Sequence, residues 1–135
     1  MKVVLDTNVL LVSVSPRSSS NWLWHSLLSG DFDICVTTDI LDEYAEILGR
    51  EMGQEVADAV LDLLMELSTV HIIHKYFHWQ LVEIDPDDNK FIDCAVAASA
   101  QYIVSHDRHL KVIDKYPYFG IKLMSIFDFK EVLEK

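Results

Sequence analysis

Basic residues are scarce in this chain. Eleven Lys and Arg stand against 22 Asp and Glu in 135 residues, a formal charge of −11. A standing basic groove for nucleic acid, or adhesion to anionic membranes, needs the opposite balance. A phosphate-bearing ligand would require metal ions or a basic partner to offset part of this charge. Cysteine is nearly absent too. Cys35 and Cys94 lie inside the apolar segments Ile34-Cys35-Val36 and Asp93-Cys94-Ala95-Val96, without CxxC or metal-finger spacing, which argues against a disulfide framework or a zinc ribbon. Free buried thiols in a reducing cytosol fit this usage.

Long hydrophobic runs are missing as well. No segment approaches the ~20 apolar residues of a membrane span. The N-terminal stretch is broken by Asp6 and Asn8 and preceded by a single Lys2, unlike the uninterrupted h-region of a signal peptide. A soluble, cytoplasmic protein with no membrane association is expected. Repeats, low-complexity tracts and linkers are also lacking. With half its residues hydrophobic, a chain of this length can bury one real core, so a single domain over residues 1–135 is expected.

What is present reads as alternating strands and helices. Val3–Leu5 is a short, wholly apolar run and predicts a central strand buried on both faces. Ser13–Ser20, with Pro16 and five serines, predicts a loop, and Trp22–Leu28 a helix stopping at Ser29-Gly30. Phe32–Val36 predicts a second strand, followed by Thr37-Thr38 as an N-cap with acids in the first helical turn. Gly53 separates this helix from another, Gln54–Leu67, whose Val56, Val60, Leu63, Leu64 and Leu67 recur at helical spacing. Val70–Ile73 predicts a third strand. Asp85-Pro86-Asp87-Asp88-Asn89 is a turn cluster, then Phe91–Ala100 has helical character. Tyr102–Val104 predicts a fourth strand, Arg108–Ile113 a short helix, Lys122–Met124 a fifth strand, and Ser125 a cap for a last helix, Ile126–Leu133. This order predicts an α/β protein with a parallel sheet and helices on both faces.

A parallel sheet places all its strand carboxyl ends along one edge, where residues just past them meet in a crevice. Asp6, Glu43, Asp93 and Asp107 fall at or near such ends. Acids crowded there repel unless a cation offsets them, and oxygen ligands favour Mg²⁺ or Mn²⁺. Taken singly, Glu43 is an ordinary solvated helix acid, and Asp6 is as well explained as a turn residue. Asp87 and Asp88 read as turn-former and N-cap, and Asp107 as a cap whose role does not exclude metal binding. Their joint placement favours a site. His71, His74 and His78 read as ordinary histidines across a strand and its exit. Trp22, Trp24, Phe77 and Trp79 read as core or, where exposed, as partner interface.

An ordered set of segments carries a family resemblance: Val3-Val4-Leu5-Asp6-Thr7-Asn8-Val9-Leu10, Asp42-Glu43-Tyr44, Asp85-Pro86-Asp87-Asp88-Asn89-Lys90-Phe91, and Ile103-Val104-Ser105-His106-Asp107-Arg108-His109-Leu110. Together they resemble a PIN domain, from Lys2 to about Phe129, and most resemble the bacterial VapC-like branch of toxin–antitoxin pairs. The resemblance implies a three-layer α/β/α fold around a parallel sheet of four to five strands. It also implies a Mg²⁺- or Mn²⁺-dependent endoribonuclease, an RNA substrate, a cognate antitoxin and a homodimer. It places Asp6, Glu43, Asp93 and Asp107 at the family's acidic cluster. Asp6 is then the central ligand, Asp93 and Asp107 further ligands, and Glu43 a ligand through water or an orienter of the attacking water. Asp88 competes with Asp93 for the third position. Asp93 is preferred because Asp93-Cys94-Ala95-Val96-Ala97-Ala98-Ser99-Ala100 follows the family's Asp-then-alanine pattern. Asn8 and Ser105 are candidates to hydrogen-bond an acid or a phosphate. His106 stands where many relatives carry glycine, and Arg17, Lys90, Arg108 and Lys111 are the basic residues expected near the active edge.

Two other strand-end aspartate folds are disfavoured. A haloacid-dehalogenase phosphatase needs a second aspartate where Asn8 stands, and a response-regulator receiver clusters acids after its first strand, where this chain has only Asp6. The alternatives that remain are a catalytically degenerate PIN-fold binding module and a nuclease of RNA processing outside toxin–antitoxin pairs.

Overall fold

A computed structural model describes residues 1–75 and 77–135. Five short strands form one parallel sheet: β1 (Lys2–Leu5), β2 (Asp33–Val36), β3 (Val70–Ile72), β4 (Tyr102–Val104) and β5 (Lys122–Met124), in the order β3-β2-β1-β4-β5. β1 takes the centre because Val3, Val4 and Leu5 are apolar on both faces and are at most 1% exposed. Its register sets Val3 beside Ile34 on one side and Tyr102 on the other, and Leu5 beside Val104. The residues that follow Leu5 and Val104 therefore leave the sheet at the same level.

The helices are α1 (Thr7–Val14), α2 (Asn21–Leu28), α3 (Thr38–Met52), α4 (Gln54–Glu66), α5 (Asn89–Ala98) and α6 (Ile126–Glu134). They complete a three-layer α/β/α arrangement. α5 lies against the central strands, and seven of its first seven residues, Asn89 to Ala95, are buried. Tyr44 of α3 is fully buried and donates its phenol to the Leu5 carbonyl at 2.5 Å, tying α3 to the carboxyl end of β1. Near the opposite end, Phe32 and Phe129 pack edge-to-face at 5.0 Å.

Strand positions follow the sequence expectation closely, but three helical features differ. α1 occupies Thr7–Val14, where no helix was expected and the loop was placed from Ser13. Its N-cap residue is Asp6, whose side chain makes no cap bond, and its first turn carries no acid; buried Val9 and Leu10 hold it in place. α5 starts at Asn89, two residues earlier than expected, and stops at Ala98 because Ser99 turns left-handed, with φ 54°. The expected short helix after β4 is a 3-10 helix running Arg108–Lys115.

Candidate metal centre

Asp6 leaves the central strand at 8% exposure, and its backbone N–H donates to the Val104 carbonyl at 3.1 Å. Its Oδ2 accepts from Ser105 Oγ at 2.6 Å, and the same Oγ accepts from the Asp107 N–H at 2.9 Å. Ser105, itself buried, thus fixes Asp6 relative to the loop that carries Asp107. Asp107 Oδ1 accepts from the His109 N–H at 2.9 Å and so caps the 3-10 helix Arg108–Lys115. Burial raises the Asp6 carboxyl above its ordinary range; the Ser105 bond opposes this, while the charges of Asp107 and Glu43 add to it.

Asp88 closes the 3-10 turn Pro86–Asp88 that opens α5. Burial, then the hydrogen-bonded Asp107 carboxyl beside it, push Asp88 up to about 7. Its Oδ2 lies 3.5 Å from His109 Nδ1, and that nitrogen is also 3.5 Å from Asp107 Oδ1. Both Asp88 Oδ2 and His109 Nδ1 are buried with no hydrogen-bond partner among the described residues. Asp85, Asp88 and His109 offer ligand atoms within 4.8 Å of one another. Two lone-pair atoms buried face to face without a shared donor suit a cation.

Glu43, in the second turn of α3, has both oxygens engaged. Thr7 Oγ1 donates to Oε2, and Lys90 Nζ lies 2.9 Å from Oε1. Lys90 is 9% exposed and also reaches Asp87 Oδ2 at 2.8 Å. Burial alone would lower the Lys90 ammonium, but its bonds to Asp87 and Glu43 more than offset this and hold it above its ordinary value.

Asp93 belongs to a different group. It is 2% exposed, accepts from the Trp79 N–H at 3.0 Å and lies 3.7 Å from His78 Nδ1. Burial raises its carboxyl, the Trp79 bond lowers it, and the charges that bear on it are those of Lys75, His78 and Asp39. The charges of Asp6 and Asp107 thus bear on Asp88, the alternative weighed for the third position, and not on Asp93, the one preferred. Five residues at 3.6 per turn put Asp93 about 140° around the helix from Asp88.

Asn8, His106 and Asp107 line a cavity of about 600 Å³ with Asp6, and Arg108 and Lys111 line a neighbouring one of about 370 Å³ with Ser105. Asn8, His106 and Arg108 are exposed. His71 pairs with Asp33 at 3.3 Å, while His78 Nδ1 lies 3.7 Å from Asp93. Of the four aromatics, Trp24 is in the core and Trp22 packs under Lys130, whereas Phe77 is 71% and Trp79 42% exposed. Asp85, Lys90 as partner of Glu43, and His109 as neighbour of Asp88 were not singled out from sequence. The Asp-x-His spacing after β4, and Asp85 and Asp88 three apart on a 3-10 turn, where such positions eclipse, were the available signals.

No curated protein sequence matches this chain. Its fold is similar to that of VapBC2 from Rickettsia felis, solved bound to a DNA fragment from its promoter, with a TM-score of 0.61, 19% identity, and coverage of 93% of this chain and 98% of that one. It is also similar to VapC20 of Mycobacterium tuberculosis, a sarcin–ricin loop cleaving toxin (TM-score 0.55, 13% identity, 75% of this chain and 86% of that one). A third similar fold is FitAcB of Neisseria gonorrhoeae (TM-score 0.57, 13% identity, 93% and 98%). The family model described as PIN domain matches residues 2–109. With that match over most of its length, and with its acids gathered at the carboxyl edge of a five-stranded parallel sheet, the chain belongs to the PIN domain family.

Proposed function

We propose that this protein is a metal-dependent endoribonuclease, the toxin member of a toxin–antitoxin pair, with residues 1–135 acting as one PIN domain in the cytoplasm. The observation that carries the reading is the meeting of Asp6, Asp88 and Asp107 with the unpartnered Asp88 Oδ2 and His109 Nδ1. These donors fit Mg²⁺ or Mn²⁺: carboxylate oxygens predominate, and a nearby imidazole nitrogen suits Mn²⁺. When bound, such an ion makes a water nucleophilic near neutral pH and takes up charge on phosphoryl oxygens.

The residues of the chain divide the remaining work. Asp6, Asp88 and Asp107 hold the ion, with Ser105 fixing two of them in register. Asn8, at the rim of the same cavity, is placed to hydrogen-bond a phosphate, and Arg108 and Lys111 to meet its charge. Glu43 acts through its neighbours, since both its oxygens are already engaged. The similar structures that include VapBC and FitAB complexes support an antitoxin partner, and the loop-cleaving toxin supports an RNA substrate. Exposed Phe77 and Trp79 suit the antitoxin or a second copy in a homodimer.

The test is cleavage of a panel of RNA and single-stranded DNA with Mn²⁺ or Mg²⁺. Wild type is expected to cut RNA only with metal, and Asp6→Asn and Asp107→Asn proteins of verified fold to lose at least ~10²-fold in rate. Metal-independent cutting, or cutting that survives both substitutions, would sink the reading.

A further inference from the structure

We propose that the ammonium of Lys90 takes a cation position in the crevice, so that the centre binds one divalent ion, at Asp6, Asp88 and Asp107, and not two. The inference rests on the metal-dependent reading above and fixes its stoichiometry.

The crevice is divided by charge. On one side Glu43 is complete: Thr7 Oγ1 holds Oε2, and Lys90 Nζ holds Oε1 at 2.9 Å. Lys90 has a second carboxylate, Asp87, at 2.8 Å and is 9% exposed. A metal ion bridging from Asp6 to Glu43 would have to expel this ammonium from a nearly closed position. Expulsion breaks two charge-assisted bonds and leaves a buried charge without its partner, a costly exchange. On the other side, Asp6, Asp88 and Asp107 make no ion pair with a lysine or arginine among the described residues, and histidine alone approaches them. Their excess negative charge calls for one divalent cation, and Lys90 has already neutralised the Glu43 side. Lys90 therefore acts by filling the second cation position and not by touching the ion.

The experiment is Mn²⁺ titration of the full chain, with unbound Mn²⁺ counted by its electron paramagnetic resonance signal. Wild type is expected to bind one Mn²⁺ per chain. Lys90→Arg, which keeps the charge, should also bind one. Lys90→Met, which keeps the apolar stem and removes the charge, should gain a second, weaker Mn²⁺ beside Glu43 and Asp87. Circular dichroism checks that each variant is folded. Glu43→Gln keeps the side-chain shape and serves even if Lys90→Met does not fold: it should still bind one Mn²⁺. Two ions in wild type, one in a folded Lys90→Met protein, or none in Glu43→Gln would each overturn the inference while leaving the metal-dependent reading intact. No Mn²⁺ in any protein would instead overturn both, and is recognisable because wild type then reads zero.

Discussion

Asp88 is the residue whose charge the fold resists most openly. Its carboxyl stands near 7 in the folded chain against 3.8 ordinarily, so between those values the folded state holds a proton that the unfolded state has released. Stability must then fall as pH rises from about 4 to 7 without metal. Asp88→Asn cannot ionise and escapes that loss. In EDTA, the melting temperature of Asp88→Asn relative to wild type should therefore rise through this window and level off above it. Added Mn²⁺ should reverse the order above pH 7, because wild type gains the ion and the variant does not. A difference that stays flat with pH, measured by differential scanning fluorimetry, would show that Asp88 is not under this strain. That Asp6 and Asp107 leave neighbouring strands at the same edge was legible in the sequence because strand ends and cap positions are local signals. The relation of Asp88 to Asp107 was not, because Asp88 and Asp93 lie about 140° apart on one helix, and the local pattern does not say which of those two faces meets the sheet edge.

Among the elements, β1, β2 and β4 were readable because a buried strand declares itself by a short apolar, β-branched run between polar punctuation, and β3 and β5 by short apolar-containing stretches between the helices. α1 was not, because its N-cap Asp6 also reads as a strand-end turn residue and makes no cap bond, and its stability comes from burying Val9 and Leu10 against the rest of the molecule. The end of α5 shows the same limit. The Ala-rich run continues to Ala100, yet Ser99 is left-handed, and the N–H groups of Ser99 and Ala100 turn back to the Val96 and Ala95 carbonyls at 3.2 and 2.9 Å. That closure sends the chain into β4 and so aims Asp107 at Asp6. A left-handed conformation costs a non-glycine residue about 1 kcal/mol, and exposed Ser99 makes no side-chain bond that would be lost. Ser99→Gly should therefore stabilise the protein by about 0.5–1 kcal/mol, read as a rise of roughly 2–5 °C in melting temperature with metal affinity unchanged. A fall in melting temperature would mean that the extra freedom of glycine in the unfolded chain outweighs the relief of strain.

At the scale of the whole molecule, the charge of −11 sets the terms on which the proposed RNA substrate would approach. Each phosphate neutralised by a fixed cation adds to the salt dependence of binding, with a slope of about −0.7 per contact for single strands. Of the four cations expected near the crevice, Arg17, Arg108 and Lys111 make no ion pair among the described residues, whereas Lys90 is engaged with Glu43 and Asp87. Three contacts predict a plot of log affinity against log salt no steeper than roughly −2. Most of the attraction must then come from the bound ion and from contacts insensitive to salt. Fluorescence anisotropy with a single-stranded RNA and the cleavage-deficient Asp107→Asn protein, from 50 to 200 mM salt at roughly the range over which basic-groove proteins lose ~10³-fold, measures this slope. Steeper than about −4 would require roughly six cations, more than the three expected beside the crevice, and would bring in basic surface from elsewhere on the chain, a second copy or a partner. A shallow slope, by contrast, leaves neutralisation to a basic antitoxin as a means of control: a positive partner segment would compete with the substrate for the same acidic edge.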